Sequence, residues 1–140
     1  MTQKRAKILC VDDQPSGLEG RKMLFEELGY DVLVAESGAT ALQLFSSQQV
    51  DLVLLDYHMP EMNGDVVAER MKAAQPDIPV VMLSGDEDLP DRILQLADAL
   101  VSKSELPAHL IEVVEHVLEV NLLFTPLSEL NKGGGQQRVA

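Results

Sequence analysis

The sequence predicts one α/β domain built on a doubly wound, parallel five-stranded sheet. Three observations carry this. Five short apolar runs recur along the chain, each of strand length. Each is followed by a segment whose apolar residues return at helical spacing. Four of the five runs are closed by an acidic, hydroxyl or basic residue, which puts functional groups along one edge of such a sheet. Strands that alternate with helices pair in parallel, because each helix carries the chain back to the start of the next strand. Right-handed crossovers then cover both faces of the sheet.

Residues 6–11 (AKILCV) form the first run and lead directly into Asp12-Asp13. Pro15-Ser16-Gly17 opens a helix with apolar positions at Leu18, Met23, Leu24 and Leu28. Asp13 is a candidate N-cap for it, and Gly29 suits the position that ends it. Residues 31–36 (DVLVAE) are the second strand. Ser37 is placed to cap a helix that carries Ala41, Leu42, Leu44 and Phe45. The third run, Leu52 to Leu55, is apolar without interruption, as a strand buried on both faces should be, and it ends in the carboxylate of Asp56. Pro60 and Asn63-Gly64 make an ordered loop between this strand and the next helix. That helix, over 64–74, turns Val66, Val67, Ala68 and Met71 inward. Residues 79–84 (PVVMLS) form the fourth strand and end in the Ser84 hydroxyl. After the acidic loop 85–88 comes a short helix over 90–97, with Pro90 in its first turn. Residues 99–102 (ALVS) form the fifth strand, which runs into Lys103. A long amphipathic helix over 105–123 closes the domain. Residues 1–125 thus make one domain, and 126–140, with its three consecutive glycines, reads as a flexible tail or the start of a linker.

At 140 residues and 46% hydrophobic content the chain can bury one sizeable core. Its net charge of −12 opposes direct binding to nucleic acid or to an anionic membrane, both of which need basic patches. No apolar stretch approaches the ~20 residues that span a membrane. A lone cysteine, Cys10, forbids an internal disulfide and points to the cytoplasm; inside a central strand it reads as packing. His109 and His116 lie along the last helix, away from Cys10, so a His/Cys zinc site is not expected.

Parallel strands share a direction, so their C-terminal ends lie on one edge. That edge collects Asp12, Asp13, Asp56, Ser84 and Lys103. Three carboxylates held close repel one another unless a cation compensates. An all-oxygen set with room for water suits Mg²⁺ (or Mn²⁺). Asp56 then has the position of a nucleophilic carboxylate. Lys103 and the ion balance charge on a transferring phosphoryl group, and the Ser84 hydroxyl can donate to one of its oxygens. His58, two residues beyond Asp56, sits on the rim as a tuning residue for access of water or partner.

Over residues 7–123 the chain resembles the receiver domain of two-component response regulators, a CheY-like family. The resemblance rests on Asp12-Asp13, Asp56 in D-x-x-M-P, Gly64, Ser84 and Lys103, in this order and at these spacings. It implies a flavodoxin-like sheet in the order 2-1-3-4-5. It implies that a histidine kinase or a phosphotransfer protein donates a phosphoryl group to Asp56. The ion is held by Asp12, Asp13, Asp56 and the backbone carbonyl of His58, with Asp86 as a further tuning position. The domain is not an enzyme acting on a separate substrate; it assists its own phosphorylation and dephosphorylation. A downstream protein target or output domain reads the switch, and a weak homodimer is compatible with the family.

Three departures fall on the output side. The fifth strand has Leu100 where the family has an aromatic switch residue. Ser104 follows Lys103 where the family has proline. The span from Ser84 to Lys103 is short by about one helical turn (roughly 3–4 residues), so the fourth helix is shortened. The expectation is therefore a domain that accepts phosphate and reads it out through an atypical face. Two other functions compete. A phosphatase with an aspartyl nucleophile would use D-x-D, but His58 stands at the second position. A pseudo-receiver that only binds protein is opposed by the intact set of five residues.

Overall fold

The computed structural model describes residues 5–85, 88–105 and 107–123, with side chains through residue 120. Five strands, β1 (Lys7–Val11), β2 (Asp31–Ala35), β3 (Leu52–Asp56), β4 (Val80–Ser84) and β5 (Ala99–Ser102), form one sheet in the order β2-β1-β3-β4-β5. All four pairings are parallel. The helices are α1 (Pro15–Glu27), α2 (Gly38–Ser47), α3 (Gly64–Ala74), α4 (Ile93–Leu96) and α5 (Ala108–Leu123). This is the doubly wound, flavodoxin-like architecture expected.

Side chains alternate across each strand, so the sheet carries two cores. Leu9, Val11, Val53, Leu55, Val80 and Met82 face one side with Phe45, Val67 and Met71. Ile8, Cys10, Leu52, Leu54, Val81 and Leu83 face the other with Leu18, Phe25 and Leu110. Every residue of β3 and of β4 is buried, which is why their sequences read as continuous apolar runs rather than alternating ones.

The register positions the rim. Val11 lies opposite both Ala35 and Leu55, so the next residues, Asp12 and Asp56, are neighbours. Asp56 lies opposite Leu83, one residue before Ser84, and Ser84 lies opposite Ser102, one residue before Lys103.

Several boundaries and faces differ from the sequence reading. Gln14, not Asp13, occupies the N-cap position of α1, and no side chain caps that end. The inward stripe of α1 is Leu18, Arg21 and Phe25; Met23 and Leu28 are exposed. Phe25 is fully buried, which contributes about 1.5–3 kcal/mol and makes it the main anchor of α1. Ser37 does cap α2, its side chain accepting from the Thr40 N–H at 3.1 Å. Leu28 is the C-cap of α1, and Gly29 follows with φ of 100°, a left-handed conformation that favours glycine. α4 is a single turn. The N–H groups of Ile93, Leu94 and Gln95 donate three residues back, to Pro90, Asp91 and Arg92, so the chain tightens into turns before α-helical bonding begins. α5 starts at Ala108, after a separate 3₁₀ turn at Lys103–Glu105. The expected tail at 126–140 lies outside the described residues.

Candidate functional site

Asp56, the last residue of β3, is 2% exposed, and Asp12, just past β1, is 1% exposed. Asp13 beside them is half-buried. One carboxylate oxygen from each of the three lies within 4.8 Å of the others. Lys103 reaches across the rim from the end of β5. Its Nζ is 2.8 Å from Asp56 Oδ1 and 4.0 Å from Asp12 Oδ2. Ser84, at the tip of β4, is buried, and its hydroxyl makes no side-chain hydrogen bond among the described residues. The five residues expected from the strand ends therefore stand on one rim.

Burial pushes the Asp56 carboxyl above the usual carboxylate range. Lys103 opposes that rise by hydrogen bond and by charge, while Asp12 and Asp13 add to it by repulsion. A buried carboxylate flanked by two others holds its negative charge at a cost, and that cost falls when a further cation enters. The donor set is hard oxygen throughout, so the residues fit a divalent ion such as Mg²⁺.

The loop after Asp56 is held by backbone contacts. Gly64 N–H donates to Tyr57 O at 2.7 Å, and Asn63 Oδ1 accepts from Met59 N–H at 3.3 Å. A Cβ on Gly64 would come to 2.7 Å from the Asp56 carbonyl oxygen and 2.9 Å from Met82 Sδ. Only glycine lets α3 start this close to the strand that presents Asp56. His58 is exposed, its ring edge-on to Tyr57 at 5.2 Å. Asp86 lies outside the described residues.

Ser104 turns out to have a structural use. Its N–H donates to Ser102 Oγ at 3.2 Å, and the two hydroxyls are 2.8 Å apart. A proline could not make the first of these bonds. With this local turn Lys103 still reaches Asp56. Leu100 is 45% exposed on β5. Cys10 is fully buried, its thiol pushed up to about 12 by burial, consistent with a packing role. Among the described residues the three aspartates are the one cluster with metal-ligand geometry, and His109 and His116 are not part of it.

The family model of the response regulator receiver domain matches residues 8–115. The chain belongs to this family. As a receiver domain it is a signalling module of two-component systems rather than a conventional enzyme. It is 37% identical over 93 residues to the transcriptional regulatory protein GlrR of Escherichia coli K12. That match covers 66% of this chain but 21% of GlrR, so the chain spans about a fifth of that relative's length. The crystal structure of a CheY-like receiver domain protein from Methanospirillum hungatei aligns with a TM-score of 0.83 at 26% identity, covering 87% of this chain and all of that one. TrrA of Thermotoga maritima, solved in complex with Mg²⁺-BeF, aligns at 0.74 with 34% identity, covering 80% of this chain and 98% of TrrA.

The sequence reading missed one residue of this receiver domain's site. Arg21 on α1 is buried and donates through Nη2 to Asp12 Oδ2. The signal was present: Leu18, Arg21 and Phe25 follow one another at i, i+3 and i+7, so a charged residue occupies the helix's core stripe.

Proposed function

We propose that this receiver domain takes a phosphoryl group onto Asp56 from the phosphohistidine of a histidine kinase or phosphotransfer protein. The observation that carries the reading is the contact of Lys103 Nζ with Asp56 Oδ1 at 2.8 Å, inside a cluster of three carboxylates on one sheet edge. An Asp56 carboxylate oxygen attacks phosphorus; the new O–P bond forms as the P–N bond to imidazole breaks. The imidazole leaves with the bonding electron pair and takes up a proton. Lys103 shields the attacking oxygen's charge and then that of the phosphoryl oxygens, to which Ser84 Oγ–H donates. Asp12, Asp13, Asp56 and the His58 backbone carbonyl would hold Mg²⁺ (or Mn²⁺), which neutralises charge on the transferring group. The bound Mg²⁺-BeF of the TrrA structure supports this assignment. Water later attacks the phosphorus, the Asp56 O–P bond breaks, and inorganic phosphate leaves the regenerated carboxylate; His58, and Asp86 by its place in the sequence, are tuning positions for this step.

The added group brings about −1.5 to −2 charges and three acceptor oxygens to the rim. Ser84 and Lys103 follow it, and β4 and β5 carry the change to a partner-binding face. That face is atypical here, because α4 is one turn and Leu100 replaces the aromatic. The reader is a downstream protein or an output domain, the setting is the cytoplasm, and a weak homodimer is compatible. No helix among the described residues is long and apolar enough to cross a membrane. Residues 1–125 are the functional unit and 126–140 a tail or linker.

Incubation with a small phosphodonor and Mg²⁺ should add one phosphoryl group by mass, and Asp56→Asn should abolish it. An unlabelled parent protein would favour a module that only binds protein.

A further inference from the structure

We infer that Arg21 is a built-in cation of the acidic pocket, one that a divalent ion must displace from Asp12, so that this arginine sets the ion's affinity. The inference rests on the proposed metal role of Asp12 and adds a residue to it.

Both carboxylate oxygens of Asp12 have partners in this structure. Its Oδ1 accepts from the Gln14 N–H at 2.9 Å. Its Oδ2 accepts from Arg21 Nη2 and is also 4.0 Å from Lys103 Nζ. The Arg21 side chain is 9% exposed, so this is a buried pair, weakly screened by solvent. The guanidinium can leave the carboxylate only by a movement of its side chain. An ion coordinated by Asp12 Oδ2 would bring two positive charges against the guanidinium that already occupies that oxygen. The two cations compete for one ligand atom.

The surroundings are shaped for such a movement. A Cβ on Gly17 would stand 3.2 Å from Asp12 Oδ2 and 3.4 Å from Arg21 Nη2. Glycine at this position therefore leaves the guanidinium its place. A cleft of about 220 Å³ between α1 and the start of α5 is lined by Gly17, Gly20, Arg21, Leu24, Pro107 and Leu110. It borders the arginine, so there is open space beside the side chain on the side away from β1. The rim thus sets two internal cations, Arg21 and Lys103, against three carboxylates.

MgCl₂ titrated into the full chain by calorimetry, without phosphodonor, tests the inference. Arg21→Met keeps the side chain's bulk and removes its charge; it should bind Mg²⁺ at least about tenfold tighter than the parent. Its melting temperature should fall in EDTA and recover with Mg²⁺ by more than the parent's rises. A purely structural arginine predicts the fall without the gain in affinity. Should Arg21→Met not fold, the parent reports instead: proton exchange at the Arg21 guanidinium, followed by NMR, should accelerate on saturation with Mg²⁺. Equal or weaker Mg²⁺ binding by Arg21→Met, or guanidinium exchange unchanged at saturation, overturns the inference. If the parent still takes up one phosphoryl group in that case, the phosphoacceptor function stands without it. Absence of Mg²⁺ binding by both proteins overturns the inference and the metal assignment together.

Discussion

The acidic rim and the β4–α4–β5 edge are neighbours with opposite construction. At the rim Asp12 and Asp56 are almost fully buried, and each is tied to a cation from a distant element, α1 or the end of β5. At the edge α4 is a single turn whose Leu94 is 79% exposed. Buried Ile93 and half-buried Leu96 anchor it to the core, and charge adds to this: Arg92 Nη2 to Glu69 Oε1 at 3.0 Å and Arg92 Nε to Asp65 Oδ2 at 3.5 Å. Buried, mutually dependent charges hold the rim's side chains on one another, so a ligand enters only by replacing one charged partner with another. Exposed pairs contribute little each and open easily. The contrast teaches that chemistry and readout can be built to different tolerances within one sheet.

Substitutions sharpen this comparison. The largest effect on the fold is expected from Gly64→Ala, where a methyl group meets backbone and sulfur at under 3 Å. It should cost about 2 kcal/mol or more, read as a fall in the urea midpoint. Lys103→Met leaves the Asp56 carboxylate without its nearest cation. We expect a loss of about 1–2 kcal/mol at neutral pH, held below the value for a fully buried pair because Lys103 reaches solvent. Most of that loss should vanish in the Asp56→Asn background, a double-mutant cycle that would fail if the two side chains were independent.

A third prediction concerns pH. The folded-state pKa of Asp56 is raised, so this group favours the native state most when protonated. Its contribution is fully present below the unfolded carboxylate value of about 3.9 and is lost as pH rises through the raised folded value. In Mg²⁺-free buffer Asp56→Asn should therefore be more stable than the parent at pH 7. The gap should narrow as pH falls through that window. A gap that stayed constant would show that charge at Asp56 is not the cause. The smallest effect belongs to the edge: Arg92→Ala should change global stability by at most about 1 kcal/mol. It should nevertheless speed amide exchange in α4 well beyond any change at the rim. Equal changes in both places would erase the distinction between rim and edge.

Much of this was legible in the residues. Continuous apolar runs marked the buried strands, and the polar residues at four of the strand ends marked the rim, because side-chain periodicity and chain direction are local properties. A shortened α4 followed from the short span between Ser84 and Lys103, although at Ile93–Leu96 it is half the length expected over 90–97. The α1 stripe was harder. Met23 and Leu28 looked like core residues by chemistry, and Arg21 looked like surface, yet their burial is reversed. Hydrophobicity ranks residues one at a time, whereas a buried charge depends on a partner elsewhere in the chain.

The amino-acid sequence alone determined the alternation of strands and helices, the capping of α2 by Ser37, the turn at Gly29, and which side chains stand at the strand tips. These depend on neighbours a few positions away. Tertiary structure alone decided that Arg21 of α1 reaches Asp12 and that Lys103 spans to Asp56. Those outcomes depend on strand register and on the low dielectric of the packed rim. Both exist only once the sheet has closed around its two cores.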